Sequence, residues 1–255
     1  MMLRNFIWRW PAAALCLLLI TGNLACTKSS APSPQTASLL LTFTHVVNGQ
    51  PMVLRDETYV NAAGEPYNIT AFKYYVSNFA LVTTGGAEQW LPAEYYLVNE
   101  DSARSRSITL QQLPAGRYRG ISFLLGVDSI RNMSGAQTGA LDPVHGMFWT
   151  WNSGYIMAKL EGTSPVSTLP ANLIQYHIGG FKGANSALRR ISLTFPQPLE
   201  LRADSASALH LQADASAWFQ PNTVSFASLP AIHTPGAQAA AVADNYKHMF
   251  SITAD

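Results

Sequence analysis

Cysteine is nearly missing from this chain of 255 residues: there are two, Cys16 and Cys26, and both lie within the first 26 positions. Beyond them no disulfide, thiolate metal site, iron–sulfur cluster or cysteine nucleophile is available. A transition metal would have to be held by histidine, methionine, carboxylate or an altered side chain. Charge is scarce as well. Only 12% of residues are charged, the formal net charge is +1, and no cluster of Lys and Arg stands out, so nothing points to a nucleic-acid partner. The GxSxG elbow, HExxH, the P-loop and the dinucleotide fingerprint are all absent, and no acidic pair is spaced so as to commit to one site. The chain is therefore expected not to be an enzyme.

Long apolar runs are confined to residues 11–20, which follow Arg4 and Arg9. This run is about half the length a membrane-spanning helix needs, and it reads as an export signal over residues 1–25. Ala25 followed by Cys26 resembles a bacterial lipoprotein cleavage site, with Asn23 where Leu is usual. On that reading Cys26 becomes the acylated first residue; ordinary signal cleavage near Ala25 is the alternative. Residues 26–38, rich in Ser, Pro and Thr, form a tether. Residues 39–255 are then one domain, expected in the periplasm and held to a membrane through its lipid.

Within that domain short apolar runs recur at 39–47, 73–82, 95–98, 107–110, 120–127, 155–160, 173–178, 190–195 and 209–213. Between them stand NGQP (48–51), AAGEP (62–66), TGG (84–86) and LPAG (113–116), whose Gly, Asn and Pro suit tight reversals. The expectation is an all-β fold: an antiparallel β-sandwich with long loops. One short helix is expected near the C-terminus, where Ala239, Val242, Ala243, Tyr246, Met249 and Phe250 recur at helical spacing. A helical turn is also plausible around residues 214–219. The segment 126–146 holds Asp128, Asn132, Asp142 and four glycines with little apolar periodicity. It does not fit an EF-hand, and its polar residues are expected to satisfy their own backbone and frame the strand that follows.

That strand is MFWTWNSGY (147–155), where Trp149 and Trp151 stand one residue apart between polar residues and glycines. If extended, the two rings point the same way at roughly 7 Å separation and share one environment. Plain aromatic packing is the simpler reading. The runs 59–82, LLGVDSIRNMSGAQTGALDPVHGMFWTWNSGYIMAKLEG (124–162), HIGGFKGANSALR (177–189) and HTPGAQAAAVADNYKHMF (233–250) together resemble the MbnP family. These are periplasmic copper-binding proteins associated with methanobactin operons and also found apart from them. The resemblance implies copper binding and oxidation of Trp149 or Trp151 to kynurenine by a partner dihaem enzyme of the MauG type. Related surface copper proteins use a kynurenine together with histidines.

Opening an indole to kynurenine gives an aromatic amine and a ketone, so a donor-only side chain gains ligand atoms. Imidazole is the copper ligand this cysteine-poor domain can offer, and the six histidines differ in promise. His177 leads into the glycines of HIGGF, which would let backbone approach an ion. His233 stands before Thr234 and Pro235 at a loop-to-helix junction. His45 shares a side of its strand with Leu41, Phe43 and Val47, where a hydrogen-bonded core imidazole is the common outcome. His210 is expected at a rim and His248 at the surface; His145 precedes Trp149, but the resemblance places a less constrained residue there. Met147 and Met157 offer thioethers, though methionine more often fills cores. The expected site is therefore His177 with His45 or His233, near the modified tryptophan. The rival reading is a structural or carbohydrate-facing surface lipoprotein without metal, its tryptophans packing or stacking on a sugar.

Overall fold

Along TASLLLTFTHVV every second residue from Ala37 to Val47 is buried, the period of a strand with one face in a core, and the segment forms β1 (Thr36–Val47). The computed structural model describes residues 36–150 and 153–253. After β1 come β2 (Gln50–Pro51), β3 (Tyr59–Val60), β4 (Pro66–Thr83), β5 (Glu88–Trp90) and β6 (Tyr95–Asn99). Then follow β7 (Ser107–Pro114), β8 (Gly116–Leu125), the short helix α1 (Ser129–Met133), β9 (Phe148–Thr150) and β10 (Gly154–Thr163). The chain ends with β11 (Leu173–Gly179), β12 (Arg189–Leu201), β13 (Ala206–Asp214), β14 (Ala231–Ile232), α2 (Ala237–Tyr246) and β15 (Phe250–Thr253).

The strands make two sheets, as the spacing of the apolar runs predicts. The smaller runs β15-β13-β1-β2 with β7 also on β1; the larger runs β12-β8-β4-β10-β11-β14, with β3, β5 and β6 on β4 and β9 on β10. The turn at Asn48 and Gly49 has φ of 51° and 77°, the left-handed pair that a two-residue hairpin demands. Asp214 fixes it by accepting both backbone N–H groups at 3.1 Å. Two pairings depart from a purely antiparallel sandwich: β1 with β13 and β11 with β14 are parallel. Both join segments distant in sequence, so no hairpin dictates their direction.

Leu39, Leu41 and Phe43 of β1 face Phe72 and Tyr74 of β4 across the core, with the Phe43 and Tyr74 rings 6.2 Å apart. The helix α2 buries Ala239, Val242, Ala243 and Tyr246, and Trp218 links it to the larger sheet, 5.0 Å from Tyr246 and 5.8 Å from Phe72. It stops short of Met249 and Phe250, because Phe250 instead opens a strand on β13. A 3-10 turn occupies Ala215–Phe219, capped by Asp214 accepting from Ser216.

In the 126–146 loop several polar side chains serve backbone, as expected, although Asp128 also accepts from the Asn78 and Tyr95 side chains. Asp128 caps α1 through Arg131 N at 3.1 Å, and Asp142 accepts from Val144 N at 2.9 Å. The buried Asn132 accepts Tyr155 N at 2.8 Å, tying the loop to β10. Lys73 Nζ donates to the carbonyl of His145 at 3.3 Å, laying the end of the loop over the larger sheet.

Candidate metal centre

Ile174, Tyr176 and Ile178 of β11 are buried and alternate with Gln175 and His177, so strand period places His177 on the outer face of the larger sheet. β14 runs parallel beside β11 in the register Gln175↔Ala231, Tyr176↔Ile232. The next residue on each chain is a histidine. The rings of His177 and His233 lie side by side, centroids 4.9 Å apart and planes inclined by 46°.

On the other side of His177 stands β10, where Lys159 pairs with His177 and Glu161 with Gln175. Glu161 Oε1 is 2.6 Å from His177 Nε2 and 3.5 Å from Lys159 Nζ. The hydrogen bond with His177, opposed by partial burial and aided by the charge of Lys159, lowers the Glu161 carboxyl to about 2. A carboxylate on Nε2 leaves Nδ1 as the nitrogen of His177 with a free lone pair. His233, at the rim, is held below the ordinary histidine value by partial desolvation and then by His177, with Glu161 pulling the other way. That favours the neutral, ligating form.

Trp149 approaches the end of β11 from β9, which folds back on β10 through Gly154↔Thr150 and Tyr155↔Phe148. A Cβ placed on Gly179 would stand 2.5 Å from Cζ3 and 2.8 Å from Cη2 of Trp149. The indole thus occupies the space of a side chain at 179, two residues beyond His177 on the same face, about 7 Å along the strand. The glycine expected to admit an ion admits the indole.

The profile of the MbnP family matches residues 36–234. The chain belongs to the MbnP family. Among solved structures, MbnP from Methylosinus trichosporium matches over 80% of this chain and 83% of that one, with a TM-score of 0.52 and 16% identity, a likeness of fold. No curated protein matches. The MbnP match starts at β1 and ends just past His233, so it takes in Trp149, Glu161 and both rim histidines and leaves out α2.

The other sequence candidates stand elsewhere. His45, the other partner expected for His177, is buried between the sheets, Nδ1 2.5 Å from Glu100 Oε2 and Nε2 2.8 Å from the Tyr74 hydroxyl. Both its nitrogens are taken, and Tyr74 points to the face of the larger sheet opposite His177. Trp151 and Cys26 lie outside the described residues. Met147 and Met157 are fully buried, and Met157 Sδ accepts Val127 N at 3.2 Å. His145 and His248 are exposed, His145 with Nε2 3.0 Å from the Gly139 carbonyl; His210 lies on β13 in the smaller sheet. Among the described residues no three His, Cys, Asp or Glu side chains are grouped to hold a metal. Sequence reasoning passed over Glu161, whose signal was available: Lys159 and Glu161 alternate with inward Ala158 and Leu160.

Proposed function

We propose that this MbnP-family protein is an exported copper binder that holds the ion through His177 and His233. The observation that carries the reading is the parallel pairing of β11 and β14, which sets two imidazoles 4.9 Å apart beside a seated tryptophan. The donor chemistry fits copper: imidazole suits both of its common oxidation states, and a carboxylate orients one ring from behind. Two imidazoles do not complete a coordination sphere, and an intact indole has no ligating lone pair. Conversion of Trp149, Trp151 or both to kynurenine by a dihaem MauG-like partner supplies the missing donors. Dioxygen, or two equivalents of peroxide, acting through the haem partner would supply the two oxygen atoms that enter as the C2–C3 bond breaks, and water then hydrolyses the N-formyl group, releasing formate. The net change is about +4 Da and an exposed aromatic amine. Copper held there serves storage, delivery or homeostasis; the protein contributes ligands, their orientation and the modifiable residue rather than catalysis.

The test is copper titration against a competing chelator, on protein co-expressed with the dihaem partner. One tight equivalent per chain is expected, weakened roughly tenfold or more in both His177→Ala and His233→Ala, and unchanged in His248→Ala. Peptide mass spectrometry should find the mass gain at Trp149 or Trp151. Because a ligating imidazole must be unprotonated, affinity falls with pH, and the depressed His233 carries its share of that loss below about pH 6.5. Absence of stoichiometric binding would return the chain to the rival reading, a surface lipoprotein whose tryptophans pack or stack on sugar.

A further inference from the structure

Between the sheets, away from the metal pair, four side chains form a row. The Tyr74 hydroxyl is 2.8 Å from His45 Nε2, His45 Nδ1 is 2.5 Å from Glu100 Oε2, and Glu100 Oε2 receives Arg106 Nη1 at 3.2 Å. Side-chain exposure rises outward along it, from 0% at His45 to 12% at Glu100 and 30% at Arg106. Hydrogen-bond accounting fixes the protons. With a neutral imidazole, Nδ1–H donates to Glu100 and Nε2 accepts the phenol proton, so the phenol and both ring nitrogens are satisfied. An imidazolium would donate from both nitrogens and leave the buried phenol proton without an acceptor. Tyr74 thus has a base already placed on its hydroxyl, backed by a carboxylate that would stabilise the charge arriving there.

The rings of Phe72, Phe250 and Phe43 surround Tyr74 at 5.5, 5.5 and 6.2 Å and exclude water. Burial raises its phenol well above the ordinary value, so simple ionisation is suppressed. Loss of an electron coupled to proton transfer avoids creating a buried phenolate.

We propose that Tyr74 is a redox-active tyrosine that yields one electron to an outer-sphere oxidant while its proton passes to His45. The electron leaves the phenol π system for the oxidant, which is reduced by one electron. The O–H bond breaks, an N–H bond forms at His45 Nε2, and the products are a neutral phenoxyl radical and an imidazolium paired with Glu100. Re-reduction by one electron returns the proton. The ring of phenylalanines makes the radical inaccessible to dissolved reductants and therefore long-lived.

Flash oxidation of the full chain with photogenerated tris(bipyridine)ruthenium(III), followed by ascorbate and freeze-trapping, tests this. Ascorbate removes radicals from exposed tyrosines. The expected result is an ascorbate-resistant phenoxyl signal in electron paramagnetic resonance, narrowed by ring-deuterated tyrosine, lost in Tyr74→Phe and slower to form after equilibration in D2O. His45→Gln, which keeps a hydrogen-bonding group but no base, should lose the signal while circular dichroism shows the fold retained. No resistant signal in the wild type, its survival in Tyr74→Phe, or equal formation in H2O and D2O would each overturn the proposal, and the wild-type measurements need no variant to fold.

Discussion

At Gly179 a side chain is excluded by an aromatic ring rather than by backbone torsion. Alanine there would bring its Cβ to 2.5 Å from the Trp149 ring and 2.8 Å from the Tyr155 carbonyl oxygen, so the indole or the end of β11 has to move. Overpacking of this kind costs about 1–3 kcal/mol. Gly179→Ala is expected to lower the urea midpoint, shift the tryptophan emission and weaken copper binding together; an unchanged emission spectrum would mean that Trp149 is not seated on β11. At this scale the sequence was half legible. The outward position of His177 follows from alternation with Tyr176 and Ile178, and the inward position of His45 from Leu41 and Phe43. What alternation cannot report is who stands opposite. His45 meets Glu100 and Tyr74, and His177 meets Glu161, partners supplied by other strands.

β14 is two residues long, so the position of His233 depends on the irregular segment that precedes it. Glu65, in the turn between β3 and β4, clamps that segment: its carboxylate accepts Ser225 Oγ at 2.7 Å, Phe226 N at 2.6 Å and Ala227 N at 3.3 Å, besides Asn61 Nδ2 at 2.9 Å. Partial burial raises the Glu65 carboxyl, but these four donors more than offset it and the net shift is downward. A lowered folded value means that the stabilisation is fully present above the unfolded value of about 4.3 and is lost as pH falls through the folded one. Glu65→Ala is expected to cost about 2–3 kcal/mol at neutral pH, since hydrogen bonds to a charged group are the stronger kind and their donors would be orphaned. The difference from wild type should shrink in acid. Denaturation at pH 7 and pH 3 measures both, and a penalty that is the same at the two values would exclude the ionised clamp. The elements themselves were largely written in the apolar spacing, each apolar run from 39–47 to 209–213 being found as a strand. MFWTWNSGY, however, is not one extended strand: β9 ends at Thr150 and the chain folds back antiparallel into β10 at Gly154. β4 is longer than its apolar run because PYNITAF continues to pair with β3 and β10. The pairing of β14 with β11 left no local trace, since two residues carry no period.

Taken whole, the larger sheet separates two sites: the His177–His233 pair and Trp149 on its outer face, the Tyr74 row on its inner one. Both belong to a single compact unit spanning residues 34–255. No described helix is long and apolar enough to cross a membrane. We propose attachment through an acylated Cys26, from Ala25, Cys26 and the Ser/Pro-rich stretch after them. One fatty chain binds a bilayer only marginally and reversibly, with an association constant of about 10⁴ M⁻¹, whereas two or more chains on one residue anchor it stably. On that proposal the residues between Cys26 and β1, which starts at Thr36, would tether the domain to the membrane. Cys26→Ala in the full chain should move the protein from the membrane fraction to the soluble one, remove the acyl mass from its N-terminal peptide, and leave copper stoichiometry unchanged. A Cys26→Ala protein that still sediments with membranes as the wild type does would show that something other than an acylated cysteine holds it there.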